Sequence, residues 1–367
     1  MRVALFCHSL LSDWNHGNAH FLRGVVTELA ARGHEVHAFE PASAWSAERL
    51  VAEAGEAALA EVRRIYPAVA PTRYDLGSLD LDQALAGVDL VIVHEWNDPD
   101  LVRRIGAHRA RTGAYRALFH DTHHRAVTDP ASIARCELGR YDGVLAFGRS
   151  LRDVYVKRGL AERIFVWHEA ADTRVFTPRI AKVERDLVWI GNHGDGERSA
   201  EIDELLIKPV RALGLTARVH GVRYPDEARV ALGRAGIELA GWLPNHRAPD
   251  AYARARATLH IPRRPYVEAL PGIPTIRVFE ALACGVPLLV ARFRDDEELF
   301  APGLDFLCVE SGRDMTRALA SLLSSTDRAD ALADHGLATI LARHTCGHRV
   351  DELLAIHAGL GPSRSTP

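Results

Sequence analysis

Residues 1–41 read MRVALFCHSLLSDWNHGNAHFLRGVVTELAARGHEVHAFEP. The run 1–7 is short and apolar, as a buried strand is. After the loop 8–18, Phe21, Leu22, Val25, Val26 and Leu29 recur at helical spacing over 19–32, and Gly33 closes that helix as a C-cap. Residues 35–39 are the next strand. Strand, helix and strand in so short a span make a βαβ unit, which predicts a right-handed crossover and a parallel sheet.

The pattern continues outward from that unit. Helical spacing runs through 44–65, 79–86, 101–112, 133–141 and 151–159. Strands are expected at 89–94, 115–120, 143–147 and 164–167. Residues 173–185 hold Pro178 and charges without a period and read as a linker. A second series then begins, with strands at 187–190, 216–220, 237–240, 258–261, 288–291 and 306–308. Helices are expected at 202–213, 227–235, 249–254, 275–284, 296–300 and 315–323, and two more follow. The expected fold class is therefore α/β, with two doubly wound Rossmann-like domains. Their bounds are 1–170 and 186–340, joined by a linker at 171–185. A closing helix at 341–360 and a disordered tail at 361–367 complete the chain.

Composition excludes several function classes. The 367 residues exceed what one core usually serves. Hydrophobic content of 47%, charged content of 25% and a net charge of −3 leave no electrostatic footprint for nucleic acid. No apolar run approaches a membrane span, and the start is too short for a signal peptide. Cys7, Cys136, Cys284, Cys308 and Cys346 form no CxxC pair, and the histidines are dispersed without HExxH. Neither a disulfide framework nor a metal site is expected, and a cytoplasmic location is.

In open α/β sheets ligands gather at the carboxyl ends of strands. One such place is the stretch 271–287, PGIPTIRVFEALACGVP, where a Gly-Pro loop enters a short helix. A helix opening offers unpaired N–H groups and a positive dipole end, which suit phosphate. The backbone of Thr275, Ile276 and Arg277 would meet a diphosphate, and Glu280 could accept hydrogen bonds from sugar hydroxyls. Ordinary capping with an apolar inner face explains the same letters. Arg277 stands three residues before Glu280 and could simply pair with it. Gly191 and Asn192 follow a strand in the flexible run GNHGDGER, and Arg198 could neutralise a leaving diphosphate. Arg263 and Arg264 are rival cations.

In the first half Asp13, His16 and His20 suggest a histidine base oriented by an aspartate, with imidazole suited by its pKa. Glu95 and Asp98 follow a strand and could hold acceptor hydroxyls, or merely satisfy their loop. His120 and His123 flank another strand end.

Several segments carry a resemblance. HEAADTRVFTP at 168–178 is similar to the interdomain segment of GT-B glycosyltransferases. RVFEALACGVPLLV resembles their nucleotide-sugar-binding helix and following strand. GNAHFLRGVVTELAARGHEVHAFEP resembles the glycine-bearing loop, first helix and second strand. VIVHEWND and LFHDTH resemble the acceptor-side strand ends, and ATILARHTCGHRVDELLAIH the closing helices, which cross back to the first domain. Within the family-1/family-4 type, the GN after a strand, the P-T-x-R-V-F-E helix and the His-Thr-x-x-His-Arg ending resemble the CgeB-like (spore maturation protein) group.

The resemblance implies two domains facing a cleft and metal-independent transfer of a sugar to a hydroxyl acceptor, with retention of configuration. The donor is a UDP- or GDP-linked sugar, no further cofactor is needed, and the acceptor is a glycan, natural product or protein. It implies a donor site of Gly191, Asn192, Arg198, Trp242, Leu243, Thr275, Ile276, Arg277 and Glu280, with Trp242 and Leu243 cupping the base. His120 would lie near the reacting carbon, so that His120, Glu280 and Arg198 are the catalytic set. Asp13, His16, Gly17, Glu95 and His123 would form the acceptor side. Two departures stand out. The family's first glutamate, eight positions before Glu280, is Gly272 here, with Glu268 nearby but out of register. The first loop is sparse in glycine, with Gly17 alone among Asn15, His16 and Asn18. A nucleotide-sugar 2-epimerase and a non-catalytic GT-B-like subunit are the alternatives. A dehydrogenase is disfavoured by the absence of GxGxxG after the first strand.

Overall fold

A computed structural model describes residues 1–361. The chain divides into two compact units, one of Met1–His168 with the segment from Cys346 onward, the other of Glu169–Thr345.

The first unit is built on seven strands: β1 (Arg2–Phe6), β2 (Glu35–Pro41), β3 (Thr72–Tyr74), β4 (Leu90–His94), β5 (Arg116–Asp121), β6 (Gly143–Ala146) and β7 (Ile164–Val166). Their order is β3-β2-β1-β4-β5-β6-β7 and every pair is parallel. Helices on both faces bury both sides of the central strands, which is why residues 3–6 and 90–93 are apolar without alternation. Phe6 stacks on Phe39 with centroids 4.6 Å apart, locking β1 to β2. The final helix, Cys346–Gly359, packs on the first, Ala19–Ala31. Trp167 Nε1 donates to Arg349 O at 2.8 Å, and Arg32 donates to Gly347 O at 3.0 Å.

The second unit has six strands: β8 (Arg185–Ile190), β9 (Ala217–His220), β10 (Ile237–Leu239), β11 (Ala255–His260), β12 (Leu288–Ala291) and β13 (Leu307–Val309). They run parallel in the order β10-β9-β8-β11-β12-β13. Leu187, Trp189, Leu259 and Leu289 enter one core, while Val188, Ile190, Leu288 and Val290 enter the core on the opposite face. Both sheets reverse direction of winding once, between β1 and β4 and between β8 and β11. Those are the switch points where such sheets open a crevice.

Several elements differ from the sequence expectation. The helix expected over 44–65 breaks at Gly55, whose φ of +76° is easy only for glycine, into Trp45–Ala54 and Glu56–Ile65. The strand β3 lies in a stretch for which the sequence pattern predicts no element. The helix expected over 133–141 is a short turn, Pro130–Ala134, then a 3₁₀ turn, Leu138–Arg140, with Glu137 at φ +50° between them. Residues 296–300 are not helical. The Asp295 carboxylate accepts from Leu299 N at 3.0 Å and Phe300 N at 2.6 Å, giving the backbone a partner other than a helix. The helix expected over 202–213 widens to a π turn at Asp203–Ile207, just ahead of Pro209, which has no N–H to give. A short helix at Arg264–Glu268 was not expected. The tail read as disordered lies, apart from Gly361, outside the described residues.

Candidate functional site

In the second unit the loops after β8 and β11 meet at Arg198. Its Nε and Nη2 donate to Asn192 O and its Nη1 to Ile261 O at 2.7 Å, with the guanidinium 5.2 Å over the Trp189 ring. All of these partners are neutral. Withdrawal from water pulls its pKa down to about 10, so the group still carries its charge at neutral pH. Arg198 is thus a partly buried cation with no carboxylate bonded to it among the described residues. Gly191 is forced by packing, since a Cβ there would lie 2.6 Å from the Trp189 ring. Asn192 Oδ1 accepts from Val222 N at 3.0 Å, and Tyr224 Oη donates to Gly191 O at 2.7 Å. The rival cations are already neutralised, Arg263 by Glu197 and Arg264 by Glu201.

The helix Ile276–Ala283 leads from this switch point. Thr275 stands at its N-cap but does not cap it with its side chain; Thr275 Oγ1 lies 3.3 Å from His260 Nε2 instead. Glu280 is wholly buried. It pairs with Arg277, and its Oε1 accepts from Asn245 Nδ2 at 3.2 Å. The Arg277 side chain thus forms the pair with Glu280 that their spacing allows. The loop carrying Trp242 and Leu243 reaches this helix through Asn245, and Leu243 packs on the core that holds Phe279. Asn245 lies in a loop after a strand end, but its role escaped the sequence reading because nothing local marks it.

Glu169 also escaped it. Buried in the same unit, it accepts the Ile276 N–H, and burial followed by the Glu280 charge raises its pKa to about 8. Beside this helix a cavity of about 560 Å³ opens at the ends of β11, β12 and β13, lined by His260, Glu268, Gly272, Ile273, Arg292 and Phe293 among others. Gly272 sits at φ +84°, and a Cβ there would lie 3.2 Å from Arg294 O.

The first unit holds its loops differently. The Asp13 carboxylate pairs with Arg23 at 2.8 Å, both side chains being buried, while the His16 backbone N–H donates to the Asp13 carbonyl at 3.1 Å. The His16 ring is hydrogen-bonded to the Ser9 backbone, and its Nε2 meets no partner. Burial pulls its pKa down to about 3. His20 is buried within the first helix, as a capping or packing residue would be. Gly17 is half-buried in the loop. Glu95 pairs with Arg125, whose guanidinium lies 4.4 Å over the Trp96 ring. Asp98 caps the helix Pro99–Thr112 by accepting from Asp100 N at 2.8 Å.

His120 stands at the carboxyl end of β5, one residue before its last. It is wholly buried against Phe21, His94 and Trp167, with centroids 5.8, 5.2 and 4.8 Å away. Neither ring nitrogen finds a hydrogen bond, and burial pulls its pKa down to about 3. The physical reason is its register opposite His94 in the middle of the sheet, under the first helix. His123 lies further out, 5.1 Å from Trp96.

A tryptophan cluster joins these residues. Trp45 contacts Trp14 at 6.3 Å and Trp96 at 6.4 Å, both edge to face, and His8 stacks on Trp45 at 4.7 Å. None of the three tryptophans is fully buried. They come from distant segments, so only the fold brings them together.

Residues 198–355 match the family model described as Glycosyl transferase-like. Those residues carry a glycosyltransferase-like sequence pattern. No curated protein matches the chain by sequence. Among solved structures, the sucrose-phosphate synthase of Thermosynechococcus elongatus is similar at 13% identity and a TM-score of 0.69, covering 98% of this chain and 99% of that one. HepE of Anabaena in complex with UDP is similar at 13% identity and 0.69, covering 98% and 100%. A glycosyltransferase from Rickettsia africae is similar at 11% identity and 0.69, covering 98% of each. At these identities the likeness concerns the fold, and that fold is GT-B. The glycosyltransferase-like pattern thus sits in a chain whose two parallel sheets follow the GT-B plan throughout. No helix among the described residues is long and apolar enough to cross a membrane.

Proposed function

We propose that this glycosyltransferase moves a sugar from a nucleoside diphosphate donor, UDP- or GDP-linked, to a hydroxyl acceptor. The observation that carries the donor reading is Arg198. A cation held only by neutral carbonyls at a switch point is a site prepared for an anion, and a diphosphate supplies it. Gly191 and Asn192 border it, and the opening of the Ile276 helix, with Thr275 and Arg277, offers a second phosphate contact. Glu280, fixed by Arg277 and Asn245, accepts from the ribose hydroxyls, and Trp242 with Leu243 flanks the base. HepE was solved with UDP, which supports the uridine member of the pair.

The acceptor side is the first unit, with Asp13 and Gly17 shaping the loop and His16, Glu95 and His123 around the tryptophans. Transfer proceeds without a metal ion, because Arg198 and the helix opening supply the positive field a leaving diphosphate needs. Retention of configuration is favoured because His16, pulled down to about 3, is a weak base for a hydroxyl, and Asp13 is spent on Arg23. His120 acts in this scheme by shaping the β5 end from within. The P-T-x-R-V-F-E helix and the closing H-T-x-x-H-R support the CgeB-like group, and the cysteine usage supports the cytoplasm.

The test is UDP and GDP binding, with and without Mg²⁺ or Mn²⁺, to wild type and Glu280→Ala, followed by turnover and the anomeric signal of the product. Binding of one nucleotide without metal, lost in Glu280→Ala, is the expected result. Wild-type affinity and turnover in that variant would overturn the reading. One observation favours a second reading, a binding subunit without turnover: Gly272 stands at φ +84°, where the side chain the family carries would be strained and crowd Arg294 O at 3.2 Å. Nucleotide binding with no product and no donor hydrolysis would select it. A donor-only reaction yielding an epimer would select a 2-epimerase.

A further inference from the structure

The opening of the Ile276 helix holds two buried carboxyl groups and one nearby guanidinium. Glu280 is wholly buried and Glu169 is 2% exposed. Arg277 pairs with Glu280. One oxygen of Glu169 accepts the Ile276 N–H, while its Oε1 meets no hydrogen-bond partner. The charges acting on Glu169 are those of Glu280 and, more weakly, Arg277. Tyr252 and Cys284 also feel the Glu280 charge, and burial raises both above their usual pKa range, so they stay neutral. His260 faces Arg277 and is likewise held neutral, at about 3. Burial and the Glu280 charge together outweigh the Arg277 charge at Glu169, so its neutral form is favoured.

We propose that Glu169 is a positioning residue of the donor site, a neutral carboxylic acid that leaves Glu280 the sole negative charge at the opening of the Ile276 helix. This rests on the donor-site reading above. In the neutral form Glu169 orders the first turn through the Ile276 N–H without opposing a diphosphate. When it loses its proton, a second negative charge arises at the helix end that must attract phosphate, and donor affinity falls. With the carboxyl raised to about 8, that loss belongs above neutrality.

The experiment is UDP affinity by calorimetry at pH 6.5 and pH 9 for wild type, Glu169→Gln and Glu280→Ala. The ratio of wild type to Glu169→Gln is the quantity read, because titration of UDP itself cancels in it. Gln is isosteric with the neutral acid and has no proton to lose. The two proteins should bind equally at pH 6.5, and wild type should be roughly tenfold weaker at pH 9, one unit above the carboxyl. Parallel pH curves would overturn the proposal while leaving the donor site intact. Failure of wild type to bind UDP or GDP at either pH would overturn both. Infrared difference spectra of wild type against Glu169→Gln give a readout without ligand: a protonated-carboxyl band at neutral pH is expected, and its absence would also overturn the proposal.

Discussion

The two units share a topology and differ in how they treat charge at their switch points. In the first, Asp13 after β1 is matched by Arg23 and Glu95 after β4 by Arg125, while Asp98 caps a helix. What remains around them is neutral: His8, His16 and His94 are all pushed below their usual range by burial, beside three partly exposed tryptophans. In the second, among the described residues Arg198 has no acid bonded to it, and Glu169 shares its buried place with the Glu280 charge. One sheet plan therefore yields a surface of neutral rings and another of unbalanced charge. The first suits a polyol or ring-bearing acceptor, the second a diphosphate. Fold alone would not have separated them.

The largest effect should come from breaking the balanced side. Asp13→Ala leaves Arg23 buried and unpaired, which destabilises by about 3–5 kcal/mol. Chemical denaturation should register that loss in the first unit, while UDP affinity of the folded protein stays within twofold. A matching loss of UDP affinity would mean that the two units are not chemically separate. Next in size is the unbalanced side. Arg198→Ala should lower kcat/KM by roughly a hundred- to a thousandfold, the range seen when one preorganised transition-state donor is lost. Arg198→Lys should restore only part, because a point charge cannot hold both carbonyls. Near-wild-type turnover in Arg198→Ala would make Arg198 merely a brace between two loops.

Much of this division was open to reading in the chain, and part of it was not. Parallel strands buried on both faces are continuous apolar runs, so residues 3–6, 90–93 and 288–291 could be placed as strands. Residues just after strand ends could be named as site candidates for the same reason. What the letters do not carry is partnership across distance. Asp13 sits near His16 in sequence, yet its carboxylate pairs with Arg23. Glu280 finds Asn245 and lies near Glu169, which only the sheet brings together. His120 is a strand-end residue, yet its register opposite His94 keeps it under the first helix. The break at Gly55 and the Asp295 turn are local, and each was masked by a composition that favours helix.

A smaller effect concerns acid. A buried neutral histidine has a lower pKa folded than unfolded, so the unfolded chain binds more protons as pH falls below about 6.5 and stability is lost on that side. His16, at about 3, accounts for about 2 kcal/mol of loss between pH 7 and pH 5. His8 and His120 act in the same direction in the first unit, and His220 and His260 in the second. His16→Gln should shrink the difference between unfolding curves at pH 7 and pH 5 by that amount. An unchanged difference would show that His16 is already solvated when folded.

The smallest effect tests the aromatic surface itself. Trp96 is fixed from one side by Arg125 and touches Trp45 and His123 on others, so it is oriented before any ligand arrives. Oriented aromatic faces add contact at little entropic loss. Trp96→Phe keeps a ring for Arg125 but removes the outer part of the indole. It should raise the acceptor KM a fewfold and leave donor affinity and kcat unaltered, whereas a truncation of Glu280 should do the reverse. Steady-state kinetics with each substrate varied in turn separates the two. If Trp96→Phe altered the donor KM instead, the neutral surface would belong to the same subsite as the charged one, and the contrast between the units would describe packing rather than substrate.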